Sequence, residues 1–329
     1  MRAEYQRAHA LGEQLLALAQ HTQDAAMLLA AHRALGTTLF WLGAVASAHT
    51  HFAQGITLYN TQQHYSSVFL HGEDSGIICR SYAAWTFWSL GYPDQGLARN
   101  DEAIALAQQS AHPFSLNSAL SVAALCHVLR REVHCTQERA KAAISLAQEQ
   151  GFPHWMAIGS LLRGWALAHQ GQAQGGIEQI HQGVRACRAI GAELARPYFL
   201  ALLAEAYGII GQPETGLTAL AEALTQADKT RERWYESELH RLKGELLLQQ
   251  SSDNQAEAES CFHHAIAIAQ NQQAKAWELR AATSLARLWQ QQGKRADAHA
   301  LLAPVYGWFT EGFDTADLQE AQALLDALA

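Results

Sequence analysis

Basic charge is scarce in this sequence. Twenty-three Lys and Arg face 31 Asp and Glu over 329 residues, a formal charge of −8. A duplex-binding surface needs a basic stripe that releases counterions from phosphate, and no such stripe is visible, so nucleic acid is not an expected partner. Long hydrophobic runs are missing too. No stretch of about 18 apolar residues occurs, so no membrane span is expected. The opening residues MRAEYQRAHALGEQ lack the apolar segment of a secretory signal, and the expected setting is cytoplasmic. Five cysteines (Cys79, Cys126, Cys135, Cys187, Cys261) are few and odd in number. They read as reduced core residues and not as a disulfide framework. Only six prolines interrupt the chain, and Val and Ile are sparse beside Ala, Leu and Gln, which favours long helices over strands.

Motifs of chemistry are thin as well. G-x-S-x-G is absent, and no G-x4-G-K-[ST] phosphate loop occurs. Cys126-His127 with His134-Cys135 is the densest group of metal-ligand types, but it has neither C-x2-4-C nor H-x3-5-H spacing. No catalytic residue, cofactor or metal is therefore expected, and the chain reads as a binding protein, not an enzyme.

What is present is a repeat. Gly43, Gly91, Gly171, Gly211 and Gly293 each close an apolar helical stretch, and Arg131 and Ser251 hold the equivalent places in two more units. Successive marks lie 48, 40, 40, 40, 40 and 42 residues apart. A glycine just past a helix end takes the left-handed cap conformation without a Cβ penalty. A second pattern, small-x3-large-x2-small, starts five residues after most marks: Ala48, Phe52, Gly55; Gly176, Ile180, Gly183; Gly216, Leu220, Ala223; Ala258, Phe262, Ala265. Offsets of four and three put all three residues on one helix face. Seven residues before each mark sits another small residue, as in Leu203-Ala204-x2-Tyr207.

This is tetratricopeptide (TPR) grammar with longer helices than the usual 34-residue unit. The expected fold is an all-α, right-handed TPR-type α-solenoid. It has seven helix pairs of about 40 residues, a leading half-repeat and a C-terminal capping helix. The expected divisions are 1–22 for the half-repeat helix, 23–310 for the repeats, with an insertion near 60–75, and 311–329 for the cap. An apolar half-repeat at the start implies further protein before it, on the same chain or on another.

Several stretches carry a closer likeness. SYAAWTFWSLGYPDQGLARNDEAIALAQ (81–108), GFPHWMAIGSLLRGWALAHQGQAQGGIEQIHQG (151–183), ELARPYFLALLAEAYG (193–208), RWYESELHRLKGELLL (233–248) and the run 284–325 are involved. They resemble the C-terminal TPR region of bacterial class III adenylate/guanylate cyclases that carry an AAA/STAND-type ATPase module. The same region occurs in related kinase–cyclase fusions and LuxR-type regulators. The resemblance implies a regulatory arm that senses a ligand or partner, with the ATPase and cyclase modules outside this chain. No segment here matches the cyclase's metal-binding carboxylates. The stretch 55–77 resembles a family segment written LYDPQQHRALAFLYGQDPG, with Asn60-Thr61 in place of Asp-Pro and Ser75 in place of Pro. Its His64, His71, Glu73 and Asp74 form either a polar lip at the groove mouth or an inter-repeat loop.

In a TPR array the first helix of each pair lines the concave face. That register places Arg33, Trp41, Trp85, Trp88, Trp165 and Tyr198 in the groove, followed by Glu205, Glu238, Arg241, Arg280 and Arg287. Aromatic and arginine side chains are the usual anchors of binding surfaces. The groove is then aromatic toward the N-terminal half and charged toward the C-terminal half, suited to an extended peptide or helix. The competing reading packs the tryptophans between repeats and pairs the charges with one another, as in Glu238–Arg241. The expected function is a non-catalytic sensor or scaffold whose partner is a protein or peptide, including an upstream ATPase or cyclase module. A free-standing adaptor and a small-molecule sensor of a STAND-type transcription regulator are the alternatives.

Overall fold

The computed structural model describes residues 4–59 and 72–329, and among them are sixteen α-helices and no strand. The half-repeat helix α1 spans Tyr5–Thr22. Seven helix pairs follow: α2 Ala25–Trp41 with α3 Val45–Leu58, α4 Ser75–Leu90 with α5 Pro93–Ser110, and α6 Pro113–Leu129 with α7 Val133–Gln150. Next come α8 Pro153–His169 with α9 Ala173–Ala189, and α10 Arg196–Ile209 with α11 Pro213–Thr230. The last pairs are α12 Glu236–Gln250 with α13 Gln255–Asn271, and α14 Lys275–Gln291 with α15 Arg295–Tyr306. Helix α16, Ala316–Leu328, lies against α14 and α15.

Local chemistry sets these boundaries. Five helices carry proline in their first turn, where the missing N–H has no intrahelical partner to lose. Asp24 and Asp74 accept hydrogen bonds from the second and third amides of α2 and α4. Gly43 and Gly91 end α2 and α4 at φ 81° and 95°. Arg131 adopts the same left-handed turn at φ 62° without glycine's freedom. Ser251 departs from the series: it is extended, at φ −160°, and a 3-10 turn over Ser252–Asn254 takes up the reversal.

The two small-residue patterns interlock. Gly36 on α2 faces Phe52 on α3, and a Cβ there would stand 2.7 Å from the ring. Gly244 on α12 faces Phe262 on α13 in the same way, at 2.5 Å. Phe52 and Phe262 are fully buried, as are Ala48, Ala258 and Ala265 beside them. The large residue of one helix thus fills the space that the small residue of its partner leaves open.

The seven pairs coil until the ends meet. The Arg233 N–H donates to the Trp41 carbonyl at 2.8 Å, and Gln272 Nε2 donates to the Arg233 carbonyl at 2.8 Å. Glu311 accepts from the backbone amides of Asp94 and Gln95 at the start of α5, and Asp94 accepts from the Gly312 amide. Arg131 pairs with Glu320 at 2.7 Å. Pairs one to three therefore bear on pairs six and seven and on α16, and the concave face becomes an interior.

Candidate functional site

A layer of aromatic rings crosses that interior. Trp234, in the turn before α12, is its centre. Its ring lies 5.1 Å from Phe40, 5.6 Å from Trp41 and 5.4 Å from Tyr198, and it stacks on Trp85 at 6.1 Å with the planes 8° apart. Trp277 continues the layer, edge-on to Trp88 at 4.5 Å and to Tyr235 at 5.1 Å. Each of these rings is 5% exposed or less. The expected open aromatic face is closed: Trp41, Trp85 and Trp88 meet rings from the far side of the coil, and Tyr198 packs on Trp234 and Tyr235 of the next pair. The physical reason is closure, which gives them apolar partners in place of water. Trp234 and Trp277 were not among the expected site residues. The RWYE run in the turn was the available signal.

Two cavities border the layer, one lined by Tyr235 and one by Trp41 and Trp85. One, of about 320 Å3, is charged. Trp165, Glu205, Glu238, Arg241, Arg280 and Arg287 all line it, so six of the expected residues do converge. Arg241 makes a two-pronged pair with Glu238, both bonds 2.8 Å, and reaches Glu245 at 3.3 Å. Arg280 donates to Asp317 at 2.8 Å and to the Leu129 carbonyl, and its guanidinium lies over both the Trp88 and Trp277 rings, at 5.1 and 5.2 Å. One side chain thereby joins α4, α6, α14 and α16. Burial opposes the charge of both arginines, but the carboxylates around them win and raise both pKa values. Burial likewise works against ionised Glu205, yet hydrogen bonds from His169 and Trp165, with Arg241 nearby, hold its pKa down at about 2. Arg287 is the most accessible of the set, 3.7 Å from Glu320.

The other cavity, of about 350 Å3, is mainly apolar. Arg33, Trp41 and Trp85 line it, and Arg33 stands 3.8 Å from Glu73 at its edge. Trp88 and Tyr198 line neither cavity. Of the lip residues, Asp74 is not at a groove mouth: it is 1% exposed, caps α4 and accepts from the Tyr59 hydroxyl at 2.9 Å. His64 and His71 fall outside the described residues.

Away from the interior, His127, Glu132 and Cys135 bring their ligand atoms within 4.8 Å of one another. Arg130 Nε already donates to Glu132 at 2.6 Å, so a cation there would meet a guanidinium. All five cysteines are free thiols, and burial raises the pKa of Cys126 to about 12. Among the described residues no helix is long and apolar enough to cross a membrane.

No family model matches the sequence, and no curated protein matches it. Solved structures do match. The chain is similar to the Rap conjugation gene regulator of the plasmid pLS20 in complex with the Phr* peptide, with TM-score 0.63 and 10% identity, over 94% of this chain and 79% of that one. It is similar to a Rap protein complexed with competence and sporulation factor, with TM-score 0.61 and 9% identity, over 92% and 77% of the two chains. It also resembles the APC/C hetero-tetramer Cut9–Hcn1, with TM-score 0.53 and 16% identity, over 87% and 46%. At these identities the likeness is one of fold, a TPR-like helical-repeat solenoid.

Proposed function

We propose that this chain is a non-catalytic sensor or scaffold region whose protein or peptide partner engages the interior of the coil. In this reading it serves a signalling protein of the ATPase or nucleotidyl cyclase type, and its setting is cytoplasmic. The observation that carries the reading is the charged cavity. Arg241 and Arg280 hold guanidinium groups inside the molecule, where desolvation offsets much of what their carboxylates return. The small and large residues between helices pack each pair without these charges, which act instead across the interior, where Arg280 reaches α4, α6 and α16. Ionic groups in such a place are suited to recognition, since an incoming carboxylate or guanidinium can exchange partners with them. The Phr* peptide held by the pLS20 Rap regulator, a protein of similar fold, supports a peptide as the class of partner.

Nucleotide turnover of the longer signalling protein that contains or recruits this chain tests the reading. Arg241→Ala and Arg280→Ala are expected to blunt its response to effector while leaving unstimulated turnover in place. An effector response identical to the parent's in both variants would count against an interior site.

A further inference from the structure

The apolar cavity has a chemistry of its own. Its volume of about 350 Å3 falls in the lower part of the range for small-molecule sites, roughly 300–1,000 Å3. It is roughly twice the size of a cavity that takes up benzene. Trp41, Trp85, Trp155 and Phe199 supply an aromatic wall. The unsatisfied polar groups are donors. Among the described residues Arg33 is the only guanidinium lining it, and its 3.8 Å separation from Glu73 is longer than a hydrogen bond. The Arg33 Nε is buried with no hydrogen-bond partner among the described residues. Trp155, 9% exposed, has its indole N–H in the same condition. Neither an indole N–H nor a guanidinium can accept. Each buried donor left unmade costs about 1–3 kcal/mol, and a guest that brings acceptors removes that cost.

The neighbouring titratable groups fit such a guest. Burial raises the pKa of Tyr5 and Tyr82 and lowers that of His154, so all three are neutral at neutral pH. Among the described residues Arg33 is then the one cationic side chain lining the space. Among the described residues Glu73 is the one carboxylate lining it, and burial favours its protonated form.

We infer that this cavity binds a small organic acid, a carboxylate on an aromatic or aliphatic body about the size of two fused rings. The body lies against the tryptophans and the carboxylate pairs with Arg33. Where the acid's charge crowds Glu73, that side chain takes up a proton from solvent. The site is independent of the charged cavity, because Arg241, Arg280, Glu205 and Glu238 do not line it. Failure of either site therefore leaves the other standing.

Isothermal titration of the whole chain with naphthoate, decanoate, naphthalenemethanol and naphthylmethylammonium tests the inference. The two acids are expected to saturate at one per chain. The alcohol and the ammonium should bind at least about tenfold more weakly, since a hydrogen bond to a charged group is worth about 1.5–3 kcal/mol. Arg33→Gln is expected to remove the acid's advantage over the alcohol, and Arg33→Lys to keep part of it. Ile158→Trp, which fills the space, should abolish both, with circular dichroism reporting whether each variant folds. A hexapeptide ending in a free Trp carboxylate, compared with its amide, identifies the source. Binding of naphthoate together with tight binding of the free-acid peptide, but not of its amide, extends the site to chain ends, and binding of naphthoate without the peptide assigns it to free organic acids. Three results overturn the inference: no naphthoate binding at millimolar concentration, equal affinity for acid and alcohol in the parent chain, or an undiminished preference in Arg33→Gln.

Discussion

Glu232 is a buried carboxylate in the closure of the coil. It is 2% exposed, and among the described residues no cation forms an ion pair with it. Instead it accepts from the Tyr5 hydroxyl at 2.9 Å, the Ala195 amide at 3.2 Å and the Trp234 indole at 3.2 Å. It thereby ties α1 to the turns before α10 and α12. Burial raises its pKa from 4.5 to about 7, and the three hydrogen bonds recover only part of the penalty. The sign of the pH effect follows. Below pH 4.5 the group is protonated in both folded and unfolded chains, and its contribution is intact. As pH rises toward 7 the unfolded chain ionises first, so stability falls, and above 7 the loss levels off. A gap of that width is worth about 3 kcal/mol.

Glu232→Gln cannot ionise and has nearly the same shape as the protonated acid. Urea unfolding followed by tryptophan emission, run at pH 4, 6 and 8, reads the difference between variant and parent. The two are expected to agree within about 1 kcal/mol at pH 4, with the variant ahead by about 3 kcal/mol at pH 8. Tyr5→Phe should behave oppositely, costing more at pH 8, where the hydroxyl donates to an ionised carboxylate. A variant-minus-parent difference that stays flat from pH 4 to 8 would refute the assignment of a raised pKa to Glu232.

Three further outcomes are expected. Trp234→Ala removes the ring on which Phe40, Trp41, Trp85 and Tyr198 converge and should cost about 3–5 kcal/mol. Small-angle scattering should report a larger radius for it, whereas high salt alone, which weakens only the exposed ion pairs, should leave the parent's radius unchanged. Gly36→Leu drives a side chain into Phe52 and should destabilise by about 1–3 kcal/mol in urea, against almost no effect of Gly175→Leu, whose Cβ meets open space. Ala111 ends α5 in the left-handed region at φ 50°, so Ala111→Gly should raise the thermal midpoint, with a gain of about 1 kcal/mol.

The sequence makes the helix pairs legible because their packing is local. Ala48, Phe52 and Gly36 meet within one hairpin, and the four-and-three offsets state the contact directly. Ser251 escaped because a 3-10 turn does the work of a left-handed cap there. Closure escaped for a different reason. Tyr5 and Glu232 are 227 residues apart, and their meeting depends on small rotations accumulated over five pairs. No periodic pattern records that sum. A tryptophan on the inner face reads the same whether the coil stays open or shuts upon it, so Trp41, Trp85 and Trp88 carry no mark of their burial. Trp234 lay in a turn, outside the helical register that selected the others.

One repeat position explains why the interior has two characters. Six residues before the successive marks stand Thr37, Trp85, Leu125, Trp165, Glu205, Glu245 and Arg287. Every one of them lines a cavity: the first three the apolar one, the last four the charged one. The position faces inward in each unit because the helix pairs share a register. It stands apart from the within-pair contacts that Gly36, Phe52, Gly244 and Phe262 make. Packing therefore fixes the small and large residues between helices, while the identity at this inward position is open to other demands. Along the chain it passes from apolar to ionic, and Trp165 carries both roles, a buried ring whose indole N–H donates to Glu205 at 2.8 Å. The scaffold and the chemistry of its interior are thus written largely at different positions of the same forty-residue unit, and they meet where Trp85 stacks on Trp234 and Trp165 donates to Glu205.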